Sequence, residues 1–344
     1  MNPSRPASPL RRERVAATPM AFVRAIVLAY EKYGVDPGAA LRQAQIAPSQ
    51  LRRPDARITA AQMETISGIA MQELDDEALG WFSRRLPWGS YGMLCRASIS
   101  SPTLGIAIRR WCRHHRLLTD DIALRLERRG ELAHFGIEER RALGHFREFC
   151  LVTSLRFLHG FACWAIDSRI VLRDATFPFA PPPHQAVYPL LFPGPVYFNA
   201  SQAGFAFDPG YLAMPLRRDE RALQAMLKRA LPLTVLQYRR DRLLVQRVRE
   251  LLRGRADHTA GSLAAALNVS VRTLHRQLHD EGAALQPLKD ESRREQAVDL
   301  LLRSPRPVKQ VAQAVGFDNE KSFARAFKTW TGQSPSDFRR TQAG

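Results

Sequence analysis

The strongest constraint in this sequence is a pattern written twice near its C-terminal end. In the second copy, Val308, Val311, Ala312 and Val315 recur at three- and four-residue steps and make one apolar helix face. Pro305 and Pro307 stand just before it, where a first helical turn tolerates the missing N–H. Gly316 ends that helix, because a tight turn wants a positive φ. Asp318 or Asn319 then caps a second helix. It turns Phe323 and Phe327 inward and Glu320, Lys321, Ala324, Arg325 and Lys328 outward. A short helix, a tight turn and a longer helix with a cationic outer face form the helix-turn-helix pattern. The second helix of that pattern enters the major groove of DNA.

An αα-hairpin inside an ordinary helical core has the same periodicity, so repetition decides the reading. The stretch Ser262 to Asp280, SLAAALNVSVRTLHRQLHD, aligns with the copy just described. Leu263, Ala264, Leu267, Asn268 and Val269 fall on Val311, Ala312, Val315, Gly316 and Phe317. Past the turn, Leu274, Arg276 and Leu278 fall on Phe323, Arg325 and Phe327. The offset is 48 residues before the turn and 49 after it. Core positions match, and so does one outward Arg. The expected motifs span residues 262–280 and 308–329. Leu288 to Leu302 is expected to be a long helix that holds their spacing rigid, and Leu243 to Leu252 the first helix of the same domain.

The segment VAQAVGFDNEKSFARAFKTWTGQSPSDFR resembles the signature of AraC-type bacterial transcription regulators. The matching elements are Val311–Ala312, Gly316–Phe317, Ser322–Phe323, Arg325, Phe327–Lys328, Gly332 and Ser334–Pro335. Where the family usually has Tyr before the final Arg, this chain has Phe338, which keeps the ring and loses the hydroxyl. The resemblance runs roughly from Leu243 to Arg340. It implies a sequence-specific binder of double-stranded operator DNA. It also implies RNA polymerase as a partner, a homodimer, and activation as the commoner mode.

With 344 residues the chain is too long for one DNA-binding module, and two domains are expected. Its formal net charge of +18 favours a polyanionic partner. The excess is not concentrated in the motif region, however. From Leu243 onward there are seventeen basic and eleven acidic residues, against thirty-four and twenty-two before it. The motif therefore carries more weight than the charge. Cys95, Cys112, Cys150 and Cys163 show no CxxC spacing and read as reduced thiols. No apolar run approaches the ~20 residues of a membrane span. The N-terminus has no secretory pattern, so a cytoplasmic protein with no membrane partner is expected.

Residues 1–18, rich in Pro, Ser and Arg, are expected to be a disordered tail. Helices are expected over Pro19 to Tyr33, Ala60 to Leu74 (capped by Thr59), Leu104 to Leu118 and Arg147 to Ile166. Ile122 to Arg128 and Leu132 to Glu138 read as paired strands about Arg129–Gly130. Leu86 to Ser101 reads as strand or loop. Ile170–Leu172, Ala186–Tyr188, Val196–Phe198 and Ala203–Phe207 read as short strands. Residues 19–210 thus form a mixed α/β domain, joined by a helical connector (211–242) to the all-α domain at 243–341 with two helix-turn-helix motifs joined by a long helix. The first part resembles the arabinose-binding-like domain of one AraC-type branch. Gly92, Ser101 to Leu104, Pro189, Phe192, Val196, Phe198 and Met214 to Leu216 carry that likeness. It implies a sensor of a small-molecule effector, not arabinose in particular.

For DNA, base contacts are expected from Arg272, His275 and Arg276 in the first motif and from Asn319, Glu320, Lys321 and Arg325 in the second. Phosphate contacts are expected from Ser270, Thr273, Lys309, Ser322, Lys328, Arg339 and Arg340. An effector pocket lined by Trp88, Tyr91, Arg109, Trp111 and His115 is the expectation for the first domain. His114 and His115 are adjacent on one helix and do not face one site, so no metal is expected. No GxSxG, Walker-type, HExxH or GxGxxG motif occurs, and neither a cofactor nor an enzymatic activity is expected. Two other classes compete with the sensor–regulator reading: an enzyme fused to a DNA-binding domain, and a constitutive DNA binder without effector.

Overall fold

In the computed structural model the described residues are 16–53, 55–228, 242–254 and 258–342. The chain divides into two compact units, Met1–Arg239 and Arg240–Gly344. Most of the expected tail lies outside the described residues, as does Pro232 of the connector.

The first unit opens with strand β1 (Ala16–Pro19), which corrects the expected end of the tail: it pairs antiparallel with β2 (Arg57–Thr59). Between them lie α1 (Met20–Lys32), α2 (Gly38–Gln43) and the single turn α3 (Pro48–Leu51). Helix α4 (Ala60–Glu73) starts at a capping box. Thr59 Oγ1 accepts the Gln62 N–H at 3.2 Å and Gln62 Oε1 accepts the Thr59 N–H at 3.0 Å.

Helix α5 (Ser90–Ile99) replaces the expected strand or loop at Leu86 to Ser101. Its N-terminus is capped from outside the segment. The Glu77 carboxylate accepts the Gly89 N–H at 2.7 Å and the Tyr91 N–H at 2.6 Å. A run dense in Gly and aromatics carries no cap of its own, and the partner that rescues the helix lies more than ten residues away. Helix α6 (Leu104–Leu118) buries Leu104, Ala107, Ile108, Trp111 and His115 and exposes Ile106 and Leu117.

Strands β3 (Ile122–Arg129) and β4 (Leu132–Glu139) form the expected hairpin. Helix α7 (Arg147–Ala165) is the central element, buried along nearly its whole length after Glu148. Strand β5 (Leu172–Thr176) begins two residues later than expected. The Ile170 N–H is drawn to Cys163 Sγ at 3.3 Å and the Val171 N–H to the Tyr211 hydroxyl at 3.3 Å, which holds both off the sheet. At Ala186–Tyr188 the expected strand is instead a 3-10 turn followed by the one-turn helix α8 (Tyr188–Leu191). Pro189 has no N–H to give a ladder, and the Tyr188 hydroxyl donates to Glu148 of α7 at 2.7 Å.

Strands β6 (Val196–Tyr197) and β7 (Ala203–Phe207) complete a five-stranded sheet in the order β3-β4-β7-β5-β6. All neighbours are antiparallel except β5 and β6. Gly136 and Gly204 face each other across β4 and β7. A Cβ on Gly204 would lie 2.6 Å from the Phe135 carbonyl oxygen, so only glycine permits that approach. Two further helices, α9 (Gly210–Ala213) and α10 (Glu220–Leu227), pack on this unit, with Leu223 and Met226 of α10 buried.

The second unit is helical: α11 (Leu243–Gly254), α12 (Ala260–Ala266), α13 (Val271–Asp280), α14 (Leu285–Arg303), α15 (Val308–Ala314), α16 (Glu320–Thr331) and α17 (Pro335–Gln342). It has two small cores. Val248, Leu252, Leu263, Leu274 and Leu278 pack with Leu285 and Leu288 from the start of α14. Val311, Val315, Phe323 and Phe327 pack with Ala297 and Leu301 from its end. One helix of 19 residues, ~28 Å at 1.5 Å per residue, thus belongs to both cores.

Candidate nucleic-acid interface

The two helix pairs α12–α13 and α15–α16 are built alike down to single hydrogen bonds. In the first turn, the Asn268 N–H donates to Ala265 O at 3.1 Å and the Val269 N–H to Ala264 O at 2.9 Å. In the second, the Gly316 N–H donates to Gln313 O at 3.1 Å and the Phe317 N–H to Ala312 O at 2.9 Å. Ser270 Oγ caps α13 by accepting the Thr273 N–H at 3.1 Å, and Asn319 Oδ1 caps α16 by accepting the Ser322 N–H at 2.8 Å. The second turn holds one more residue, Asp318, before its cap. That residue is the physical source of the change in offset from 48 to 49.

On α13 the side chains of Arg272, His275 and Arg276 are exposed on the side away from buried Leu274 and Leu278. Ser270 and Thr273 share a hydroxyl–hydroxyl bond of 2.8 Å at the start of the helix. On α16, Glu320, Lys321, Ser322, Arg325 and Lys328 are exposed opposite Phe323 and Phe327. Among the described residues, Arg272, Arg276, Lys309, Glu320, Lys321, Arg325 and Lys328 enter no ion pair. Glu320 therefore leaves Arg325 unencumbered. Asn319 uses one lone pair of its Oδ1 on the cap, which leaves its amide NH2 and the second lone pair for another partner.

Arg339, expected at a phosphate, has two of its donors engaged within the fold. Its Nε donates to Leu301 O at 3.2 Å and its Nη2 to Arg306 O at 2.7 Å, so the guanidinium closes the C-terminal end of α14. Arg340 is exposed and pairs with Asp337 at 2.7 Å. Arg293, unremarked in the sequence, lies over the Phe317 ring at 5.2 Å and donates to Gly316 O at 3.4 Å, tying α14 to the second turn. Likewise, Arg249 pairs with Glu291 at 2.7 Å and Gln296 Nε2 donates to Leu252 O at 3.0 Å, fastening α11 to α14.

The first unit holds a cleft of about 380 Å³ lined from α4, α5, α7 and the end of α10. Of the five residues expected in a pocket, Trp88 and Tyr91 line it. Tyr91, Trp111 and His115 line a neighbouring cavity of about 40 Å³. Arg109 is exposed and lines neither. His115 lies edge-on to Phe82, with no partner for Nδ1, and burial lowers its pKa to about 4. Sequence reasoning missed Glu77, Gln72 and Phe157 of the cleft. The signal for Glu77 was the acidic run Asp75–Asp76–Glu77 ahead of a Gly- and aromatic-rich loop.

Residues 34–216, just over half of the chain, match the family model described as the arabinose-binding domain of AraC transcription regulators, N-terminal. Residues 263–341 match a helix-turn-helix domain model. This chain belongs to the AraC-type transcription regulators. Among its relatives, the Ornithine utilization regulator of Pseudomonas aeruginosa is 27% identical over 93% of this chain and 96% of its own. The HTH-type transcriptional regulator VqsM of the same organism is 41% identical over 22% of this chain and 23% of its own. The structure of the transcriptional regulator CdpR from Pseudomonas aeruginosa aligns over 88% of this chain and 96% of that one, at 23% identity and a TM-score of 0.31. This AraC-type regulator is a DNA-binding protein with an arabinose-binding-like N-terminal domain and a helical C-terminal domain. Among the described residues no helix is long and apolar enough to cross a membrane.

Proposed function

We propose that this AraC-type regulator reads operator DNA through two helix-turn-helix motifs, residues 262–280 and 308–329, which α14 holds at a fixed spacing. The observation that carries the reading is the duplicated turn with Arg276 and Arg325 at equivalent outward sites, neither of them in an ion pair among the described residues. An unpaired Arg on the exposed face of a recognition helix donates bidentately to guanine O6 and N7. Arg272, His275 and Arg276 read bases from the first motif. Glu320, Lys321, Arg325 and the Asn319 amide read from the second. Ser270, Thr273, Lys309, Ser322 and Lys328 meet phosphates, with Arg340 at the edge of the set. Arg339 is assigned to the fold.

The N-terminal unit answers a small-molecule effector, and its cleft favours this over constitutive binding. The reading extends to a homodimer that activates transcription through RNA polymerase, and it includes no enzymatic step. The test is footprinting of the full chain on an operator obtained by in vitro selection. Each protomer should protect two major-groove segments about one helical turn, ~10 bp, apart on one DNA face. A single protected segment per protomer would remove the second motif from the reading.

A further inference from the structure

The cleft of the N-terminal unit is less basic than the chain around it. The chain carries a net +18, yet Glu64 and Glu77 line the cleft together with Trp88. The acidic run Asp75–Asp76–Glu77 builds this wall. Asp75 Oδ1 accepts the Trp88 N–H at 2.9 Å. Asp76, wholly buried, accepts the N–H groups of Ala78, Gly80 and Leu86 and the Tyr33 hydroxyl. Glu77 accepts the N–H groups of Gly89 and Tyr91, one on each oxygen. Three consecutive carboxylates thus pin both ends of the loop that presents Trp88.

Each Glu77 oxygen keeps a second acceptor position after its backbone bond. Desolvation raises the Glu77 pKa above the ordinary carboxylate value, with the N–H groups of Tyr91 and Gly89 opposing and Asp76 and Asp75 adding to the rise. Trp88 remains 52% exposed although its backbone is fixed. A large aromatic held half in solvent beside carboxylates is the arrangement that receives an organic cation, which gains both from the ring quadrupole and from the acids. The basic groups of the cleft do not cancel this. Arg96 pairs with Glu220 at 3.3 Å, and Lys228 stands exposed at the rim.

We propose that this cleft binds a small organic ammonium compound. The ammonium lies over Trp88 and against Glu77, and an aliphatic body runs along Met71, Phe157 and Leu227. The proposal rests on the effector-sensor reading and supplies its ligand class. Leu227 and Lys228 stand at the end of α10, after which the chain continues to the DNA-binding unit.

Thermal unfolding of the full chain with four five-carbon probes tests this: cadaverine, 5-aminovalerate, valerate and 1-pentanol. The two amines should raise Tm by ~3–5 °C at about ten times Kd, and the other two should not. Trp88→Leu should abolish the rise and Trp88→Phe should keep most of it; the exposure of Trp88 lets both variants fold. A rise with cadaverine alone identifies a diamine. A larger rise with 5-aminovalerate, lost in Lys228→Met, identifies an amino acid whose carboxylate meets Lys228. Valerate matching the amines, no response to either amine, or a full response in Trp88→Leu overturns the proposal. A response to valerate alone leaves an effector-sensing unit with a different ligand class.

Discussion

Asn268 and Gly316 hold the same place in two successive helix turns, both left-handed, with φ of 54° and 79°. Only Gly adopts this conformation without cost, and Asn is the residue that tolerates it best after Gly. The residue that follows each sends its N–H back to the Ala four residues before the turn residue, Ala264 or Ala312. This shared geometry ends the first helix of each pair in the same way.

Gly316→Ala should therefore destabilise the second core by about 1–2 kcal/mol, and Asn268→Ala the first by less. Asn268→Gly should be neutral or stabilising. Urea unfolding of the full chain measures all three. An unchanged midpoint for Gly316→Ala would mean that the turn relaxes to another conformation.

Arg276→Ala should cost roughly 1–3 kcal/mol of operator affinity and relax discrimination at one or two base pairs. Because Glu320 does not pair with Arg325, Arg325→Ala is expected to do the same at a second cluster of positions. Binding to a panel of single-base operator variants at two salt concentrations checks both. Uniform weakening with a salt slope lower by about one would make either residue a backbone anchor instead.

Arg339→Ala should act on stability before it acts on DNA. It leaves Leu301 O and Arg306 O without their donor, at about 1–2 kcal/mol. Arg339→Lys should recover little, since one ammonium does not reproduce the two-pronged guanidinium. A salt slope lowered by one with unchanged urea stability would instead return Arg339 to the phosphate set.

His115 makes the first unit acid-sensitive. Its folded-state pKa of about 4 lies below the ordinary 6.5, so the unfolded chain takes up the proton first. Stability from this group is complete above pH 6.5 and is lost as pH falls toward 4, by up to about 3 kcal/mol. His159, lowered to about 3 by burial, adds in the same direction. His115→Leu should flatten the loss between pH 6.5 and 4 in thermal unfolding, and an unaltered profile would assign the loss to other groups.

The amino-acid sequence determined the helix pairs of the C-terminal unit, their inward residues and their outward cations. There the signals are local: apolar steps of three and four, a left-handed turn residue, and a cap beside each helix start. The same locality made the hairpin about Arg129–Gly130 and the helix capped by Thr59 legible. Tertiary structure decided what depended on distant partners. Helix α5 exists because Glu77 caps it, and Tyr188 is helical because Pro189 bars a ladder and Glu148 binds its hydroxyl. Arg339 became a clamp on α14 through a carbonyl 38 residues away, and nothing in its own neighbourhood distinguishes it from Arg340. The cleft, too, was a tertiary outcome. Periodicity marks which residues turn inward, but the space they leave unfilled depends on side chains from four helices meeting at one place.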